Sequence, residues 1–534
     1  MLKLMMISLS LFLQVSISVS QHNQPDPVNT TVKSNHSQLH NDAGRHLVPE
    51  RWWESVATIG YATLKPQQEK HLHDSAYAKS LISLPIQDST KLVSVLDELR
   101  ARGIQALGVH APSEGGNSFG GLDVINHFRI DPAFGTMDDF VRLVRLVHLK
   151  GLPIIVFLNL GYCSVDAPEF LQACDDVLAG KDSKWVRRFL WSDDTDAPPP
   201  GTSDMVYFVQ PKHLPGGEPG TLYESEKYEF WQYSERAQRY YWTKWGGVDL
   251  KGNRVRLPQY NWADDTFLEE IGQIVRFWMD TGLDGMLIDA VNWYIDCTWE
   301  KGRTYMTDVI SSYGDTYRQP EGAGAFLEDP VAWITEGGWN SVQDYALGTP
   351  WRKGTNVIVN AIESGDPRPI EEALRSYHDR VVAVNGVLWF RPPKFEEQDK
   401  QRLSVATVAC IGDIMSQFQR DYFHGDQEIL WLADTKRKHP ALHNLSTRRK
   451  LPTNADDKFY AFLRTASDRS ERIMVVLNFQ SQKQSVKVDL SGVATAGLVD
   501  LKDGILMARQ NPLDLELPAY GYRLIKVLPA GLSK

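Results

Sequence analysis

The sequence is poor in several features that would announce a function directly. Its four cysteines, Cys163, Cys174, Cys297 and Cys410, form no CxxC and no metal-ligand spacing, which argues against a zinc framework or a thioredoxin-like redox motif. One or two disulfides fit that count, with Cys163 and Cys174 the nearest pair, and so do isolated buried thiols. No Lys/Arg block stands out and the net charge is −10, which speaks against nucleic acid or an anionic membrane surface as partner. No GxGxxG or GxxxxGKS follows an apolar run, so a nucleotide has no support. Beyond the N-terminus no segment approaches spanning length, and no stable membrane span is expected.

What is present begins with MLKLMMISLSLFLQVSISVS. Lys3, the apolar stretch Leu4 to Val15 and the small residues Ser18-Val19-Ser20 read as a secretory signal peptide over residues 1–20, hence an exported protein, periplasmic or extracellular. Residues 21–49 read as a polar, flexible leader. Three times thereafter an amphipathic helix, a glycine and a short apolar strand follow one another: LVSVLDELRARG then IQALGVH, FVRLVRLVHLKG then LPIIVFLNL, and FLEEIGQIVRFWMDTG then LDGMLIDA. Phe267, Ile271, Ile274 and Trp278 make one helical stripe. Thr136 with Asp139 resembles a capping box, and Gly103, Gly151 and Gly282 stand where left-handed helix ends are wanted. Apolar strands that follow helices belong to a parallel sheet covered on both faces, a closed barrel or an open doubly wound sheet.

A long insertion, residues 164–258, is rich in Trp, Tyr, Pro and Gly, and at that length it is expected to be functional or a small domain. It divides the barrel into residues 50–163 and 259–450. From 451 to 534 short β-rich runs such as RIMVVLNFQ and YGYRLIKV predict an antiparallel C-terminal domain. The sixteen Trp, twenty Tyr and twenty Phe suit a cleft that stacks sugar rings, although core packing accounts for most of them. Trp231, Tyr233, Tyr241, Trp242 and Tyr260 are candidates for such walls, the majority being core.

Asp289 ends the apolar strand GMLID, and Glu336 ends a second candidate strand, VAWITE, followed by Gly337, Gly338 and Trp339. Two carboxylates on adjacent strand ends are what glycoside hydrolysis requires, one attacking the anomeric carbon and the other protonating the leaving oxygen. Apolar neighbours such as Trp333 and Trp339 would raise a carboxyl towards acid duty. The bland alternative is structural pairing with arginine. The dipeptide His378-Asp379 lies within PIEEALRSYHDRVV, where Ile370, Leu374, His378 and Val381 share one helix face, and reads as part of that helix.

From about Trp52 to Val527 the order of these segments resembles glycoside hydrolase family 13, the α-amylase family, and its α-glucosidase-like branch. GLDVINHFRIDPAFGTMDDF is similar to the stretch that opens with GYDV, LPQYNW (Leu257 to Trp262) to the QPDLN-like motif, DTGLDGMLIDAV to the strand-β4 motif and WITEGGW to the strand-β5 motif. The resemblance implies a (β/α)8 barrel with an insertion after its third strand and a C-terminal antiparallel β domain. It implies Asp289 as nucleophile and Glu336 as acid/base, and substrate contacts at Asp123, Phe157, Tyr162, Leu287, Trp293, Trp339 and Arg391. Members often bind calcium near the insertion, which makes Asp182, Asp193 and Asp194 candidate ligands; their spacing does not support a site, and no cofactor is required.

The departures are selective. Leu287 stands where the β4 motif has Arg, Phe157, Gly161 and Tyr162 where the β3 motif has Asp and Asn-His, and Leu122 where GYDV has Tyr. The strand GVLWF runs into Arg391-Pro392-Pro393 where a His-Asp pair is usual. Three readings follow: a retaining α-glycosidase acting on an oligo- or polysaccharide whose innermost sugar is anhydro, deoxy or substituted; a catalytically inactive relative that binds carbohydrate or protein; and a transglycosylase. The first is preferred, since both carboxylates survive while the polar contacts to glucose do not.

Overall fold

The structure is a computed structural model. It describes residues 44–64, 81–116, 121–193, 231–243, 247–248, 254–291, 294, 297–322, 329–348, 356–417, 426–508 and 510–529. The signal-peptide segment, most of the leader and Trp293 lie outside those residues.

Eight parallel strands form a nearly closed barrel: β1 (Thr58–Thr63), β2 (Ala106–His110), β3 (Ile154–Leu158), β4 (Gly285–Ile288), β5 (Tyr317–Pro320), β6 (Ser341–Gln343), β7 (Val387–Phe390) and β8 (Ile414–Gln417). Each pairs with its neighbour in chain order except β5 with β6, and β8 pairs with β1. The seam between β5 and β6 is held by side chains instead of a ladder. Asn340 Oδ1 accepts from the Arg318 N–H at 2.8 Å, and Ser341 Oγ donates to the Arg318 carbonyl at 3.0 Å.

The three helices read from the sequence are α1 (Ser89–Ala101), α2 (Met137–Leu149) and, after two short helices among the described residues of the insertion, α3 (Asp265–Met279). Asp88 caps α1 through the N–H groups of Thr90 and Lys91, and Thr136 with Asp139 forms the capping box of α2. Gly103, Gly151 and Gly282 all take positive φ at the turns into β2, β3 and β4. The same helix–glycine–strand order recurs a fourth time: helical residues up to Ser311, Gly314 at φ 100°, then β5.

VAWITE is not a strand. Asp329 accepts from the Val331 N–H at 3.0 Å and Pro330 occupies the first helical turn, so the segment starts α4 (Pro330–Thr335). An acidic cap followed by proline is a helix start, and it overrides the β-prone composition behind it.

In the insertion, Trp191–Ser192, Arg239–Trp242 and Trp231–Ser234 form a three-stranded antiparallel sheet. Trp231, Tyr241, Trp242 and Tyr260 are buried, and Tyr233 is exposed. The four cysteines are free thiols, so Cys163 and Cys174 are not paired. The C-terminal residues build a six-stranded antiparallel sheet and a two-stranded one. They dock on the barrel through Arg464, whose buried guanidinium donates to the carbonyls of Ile411, Ala441 and His443. Among the described residues no helix is long and apolar enough to cross a membrane.

The approach of β4 to β5 depends on Gly285. Its φ is 150°, and a Cβ there would lie 2.1 Å from the Tyr317 carbonyl oxygen. Gly285→Ala is therefore expected to lower stability by about 2–3 kcal/mol, read as a lower urea midpoint of the barrel transition. An unchanged midpoint would contradict the tight contact.

Candidate active site at the C-terminal mouth of the barrel

Alternate side chains of each barrel strand point inward. Near the N-terminal end and through the middle these inward residues make one apolar cluster, including Ile59, Phe157, Leu287, Tyr317 and Trp389, sealed below by Trp52 and Trp53. Leu287 and Phe157, expected as substrate contacts, are thus packed inside the barrel plug, with exposures of 0% and 2%. They form the floor under the mouth and do not line an open pocket.

Two residues past Leu287, Gln319 and Trp389 the inward positions of β4, β5 and β7 are Asp289, Glu321 and Arg391. The paired register carries Ile288 opposite Pro320, which sets Asp289 and Glu321 side by side, and their carboxyl groups are in hydrogen-bond contact. Arg391 reaches across from β7, its Nη2 donating to Glu321 Oε1 at 2.9 Å.

The loop after β3 supplies the remaining partner. Tyr162 Oη donates to Asp289 Oδ2 at 2.6 Å. Its position follows from Asn159, whose Oδ1 accepts from the Gly161 and Tyr162 N–H groups and whose Nδ2 donates to the carbonyls of Leu122 and Tyr162. Gly161 is required, since a Cβ there would lie 2.2 Å from the Tyr294 ring. Tyr294 Oη in turn donates to the Asp289 carbonyl at 2.6 Å and accepts from the Leu160 N–H. LPQYNW runs antiparallel to this loop: the Tyr260 N–H donates to the Gly161 carbonyl, and Trp262 stacks on Tyr294.

Asp289 is buried, and desolvation together with the adjacent Glu321 pushes its carboxyl well above the ordinary range; the Tyr162 hydroxyl and Arg391 oppose the rise. Two carboxyls side by side in such a place disfavour a double charge. Burial and the Asp289 charge push the Tyr162 phenol up, so it stays a donor. Ala290, which follows Asp289, has φ 44°, a conformation costing about 1–3 kcal/mol in a non-glycine residue and typical of functional sites.

Other expected residues lie elsewhere. Glu336 is the exposed C-cap of α4, on the segment that leads into the N-terminal end of β6. Residues between a helix and its next strand sit at the barrel end opposite the mouth, so Glu336 is not the partner of Asp289; Glu321 is. Trp339 is on the same segment, buried against Trp333 in the helical layer. Asp123 is fully buried beside Gly116 in the loop over the end of β3. Asp182 pairs with Arg187 and Asp193 with Arg239, while Asp194 lies outside the described residues.

Glu321 is missed by texture alone, because TYRQPE is polar and carries Pro320. The signal that finds it is the fourth helix–glycine–strand repeat at Gly314, with a carboxylate one residue past the strand as at Asp289.

Comparison with known proteins extends this picture. Residues 96–321 match the family model "Alpha amylase, catalytic domain", and residues 450–524 match "Maltogenic Amylase, C-terminal domain". Among curated proteins, a probable oligo-1,6-glucosidase 2 of Bacillus subtilis is 28% identical over 207 residues, 39% of this chain and 31% of that protein. The trehalose synthase/amylase TreS of Mycobacterium tuberculosis is 26% identical over 204 residues, 38% of this chain and 29% of that protein. The matched region thus spans about a third of these relatives' length. Among solved structures, the α-amylase from H.orenii superposes with a TM-score of 0.64 at 14% identity, covering 89% of this chain and 100% of that one. The trehalose-6-phosphate hydrolase of Bacillus licheniformis gives 0.62 at 12%, with the same coverage. At such identities the superpositions speak to the fold alone.

A buried carboxyl whose proton affinity is raised in the native state stabilises the fold fully below its unfolded value near 4. That contribution is lost as pH rises through the raised native value. Asp289→Asn removes the titration, so its thermal midpoint should gain on the wild type as pH goes from 4 towards 8. A difference independent of pH would show that Asp289 carries no raised proton affinity.

Proposed function

The chain belongs to the α-amylase family, glycoside hydrolase family 13, and from that membership we propose that it is a retaining α-glycosidase in which Asp289 is the nucleophile and Glu321 the acid/base. The observation that carries this reading is the contact of the two carboxyl groups on the adjacent ends of β4 and β5. Inverting enzymes keep their carboxyls about 6.5–9.5 Å apart to admit a water between them, and retaining ones about 5–5.5 Å. A pair set side by side by the strand register lies on the short side of that divide.

In the first step the Asp289 carboxylate bonds to the anomeric carbon as the glycosidic C–O bond breaks, and the leaving oxygen takes the proton of Glu321. In the second, Glu321 takes a proton from water, whose oxygen displaces Asp289 from the anomeric carbon. Tyr162 holds Oδ2 of Asp289, directing the other oxygen to the sugar.

The substrate in this reading is an oligo- or polysaccharide whose innermost sugar is not plain glucose. Leu287 and Phe157 make the floor apolar, and Arg391 replaces the usual polar pair at the end of β7. Such a mouth suits a ring with fewer or modified hydroxyls. Names such as oligo-1,6-glucosidase and trehalose synthase/amylase among the relatives support glycoside chemistry in general. Export through the segment 1–20 belongs to the same reading, resting on Lys3, the apolar run and the small residues after it.

Glu321→Gln should lower kcat/KM on α-linked oligosaccharides about 10²- to 10⁴-fold, and Asp289→Asn by at least about 10³-fold, whereas Glu336→Gln should match the wild type. A 5-fluoro glycosyl fluoride should label Asp289, read by peptide mass. If wild type and Asp289→Asn turn over a broad α-glycoside panel equally, the protein is a binding relative and not an enzyme.

A further inference from the structure

We propose that Arg391 is the specificity-determining residue of this site, receiving an anionic substituent, a carboxylate or a sulfate ester, carried by the sugar whose bond is cleaved. Leaving Glu321 for that anion, Arg391 releases the acid/base into its working state. The inference rests on Asp289 and Glu321 being nucleophile and acid/base.

Arg391 Nη2 lies 2.9 Å from Glu321 Oε1, and a guanidinium so placed favours the charged form of a carboxyl over the protonated one. Asp289, buried and beside Glu321, has its proton affinity pushed well up. Retaining cleavage needs the opposite: a proton on Glu321 and a carboxylate at Asp289. Moving Arg391 off Glu321 is the change that inverts the pair. The proton then passes from Asp289 to Glu321 across their hydrogen bond, with none exchanged with solvent.

The ligand chemistry follows from what can compete for Arg391. Sugar hydroxyls are dipoles and replace a carboxylate poorly. A carboxylate or sulfate offers the guanidinium fork another charge-assisted, bidentate partner. A quarter of the Arg391 side chain is exposed at the mouth and its guanidinium stands over Trp389, so an entering anion meets it above the apolar plug. Among the described residues, the other titratable groups facing the pair are Tyr162, Tyr294 and Tyr61, whose phenols burial pushes up, and His110 inward on β2. The phenols stay neutral and do not compete for the anion as charges.

The test compares 4-nitrophenyl α-D-glucopyranoside and α-D-galactopyranoside with their 6-sulfates and the matching α-D-uronides. Wild type is expected to prefer a charged member over its neutral parent roughly tenfold to a hundredfold in kcat/KM, the sulfate and uronide arms telling which anion is read. Arg391→Gln should abolish that preference and Arg391→Lys reduce it. Should Arg391→Gln not fold, the Lys variant still reports. Calorimetry on Asp289→Asn, with and without Arg391→Lys, reads the same preference as binding. Wild type treating neutral and charged members alike, or both variants lowering the two classes by one factor, overturns the role of Arg391 while leaving the glycosidase reading intact. Absence of Asp289-dependent turnover together with absence of charged-sugar binding overturns both.

Discussion

Two carboxyl groups pressed together in a desolvated barrel mouth, Asp289 against Glu321, set the terms for everything around them. As two charges they would repel in a medium that screens poorly, so a shared proton and counter-partners are needed on each side. Tyr162 supplies the donor to Asp289 and Arg391 the charge for Glu321. The contact itself depends on backbone geometry further down. Gly285 lets β4 lie against β5 at a distance no side chain would permit, and the register from there carries both strands to the mouth in step.

The elements behind the pair do little else than hold it. Asn159 uses all four of its hydrogen bonds on the loop that aims Tyr162, and Tyr294 ties the Asp289 carbonyl to the same loop. The left-handed Ala290 turns the chain away just after the carboxylate. Below, the apolar plug around Leu287, Phe157 and Trp389 excludes water from beneath the pair, strengthening each electrostatic contact above it. A barrel interior so filled leaves the rim, where Arg391 sits, as the accessible part of the mouth.

Most of the framework was legible from periodicity and punctuation. Helical stripes, caps at Asp88 and Thr136, and glycines at the turns are local signals, and local physics suffices to realise them. Asp289 was legible because an apolar strand ending in a charge is conspicuous. Glu321 was not, since β5 is polar and short and its burial comes from neighbours instead of its own composition. Glu336 misled for the converse reason: VAWITE has the residues of a strand, but the cap at Asp329 and Pro330 turns it into a helix whose far end lies away from the mouth. Trp339 followed the same error. Asn444, in the triplet Asn444-Leu445-Ser446, is buried, its amide donating to the Trp53 and Val56 carbonyls.

By itself the sequence determined the parallel β/α architecture, the antiparallel C-terminal sheet, the family resemblance and one of the two carboxylates. These rest on interactions between residues near in the chain, whose spacing is written in the order of the letters. Tertiary structure alone decided which glutamate faces Asp289, that Tyr162 and Arg391 partner the pair, and that Leu287 belongs to a plug and not a pocket. Those facts depend on strand register and barrel closure, which bring together residues 32 to 229 positions apart and which no local pattern encodes.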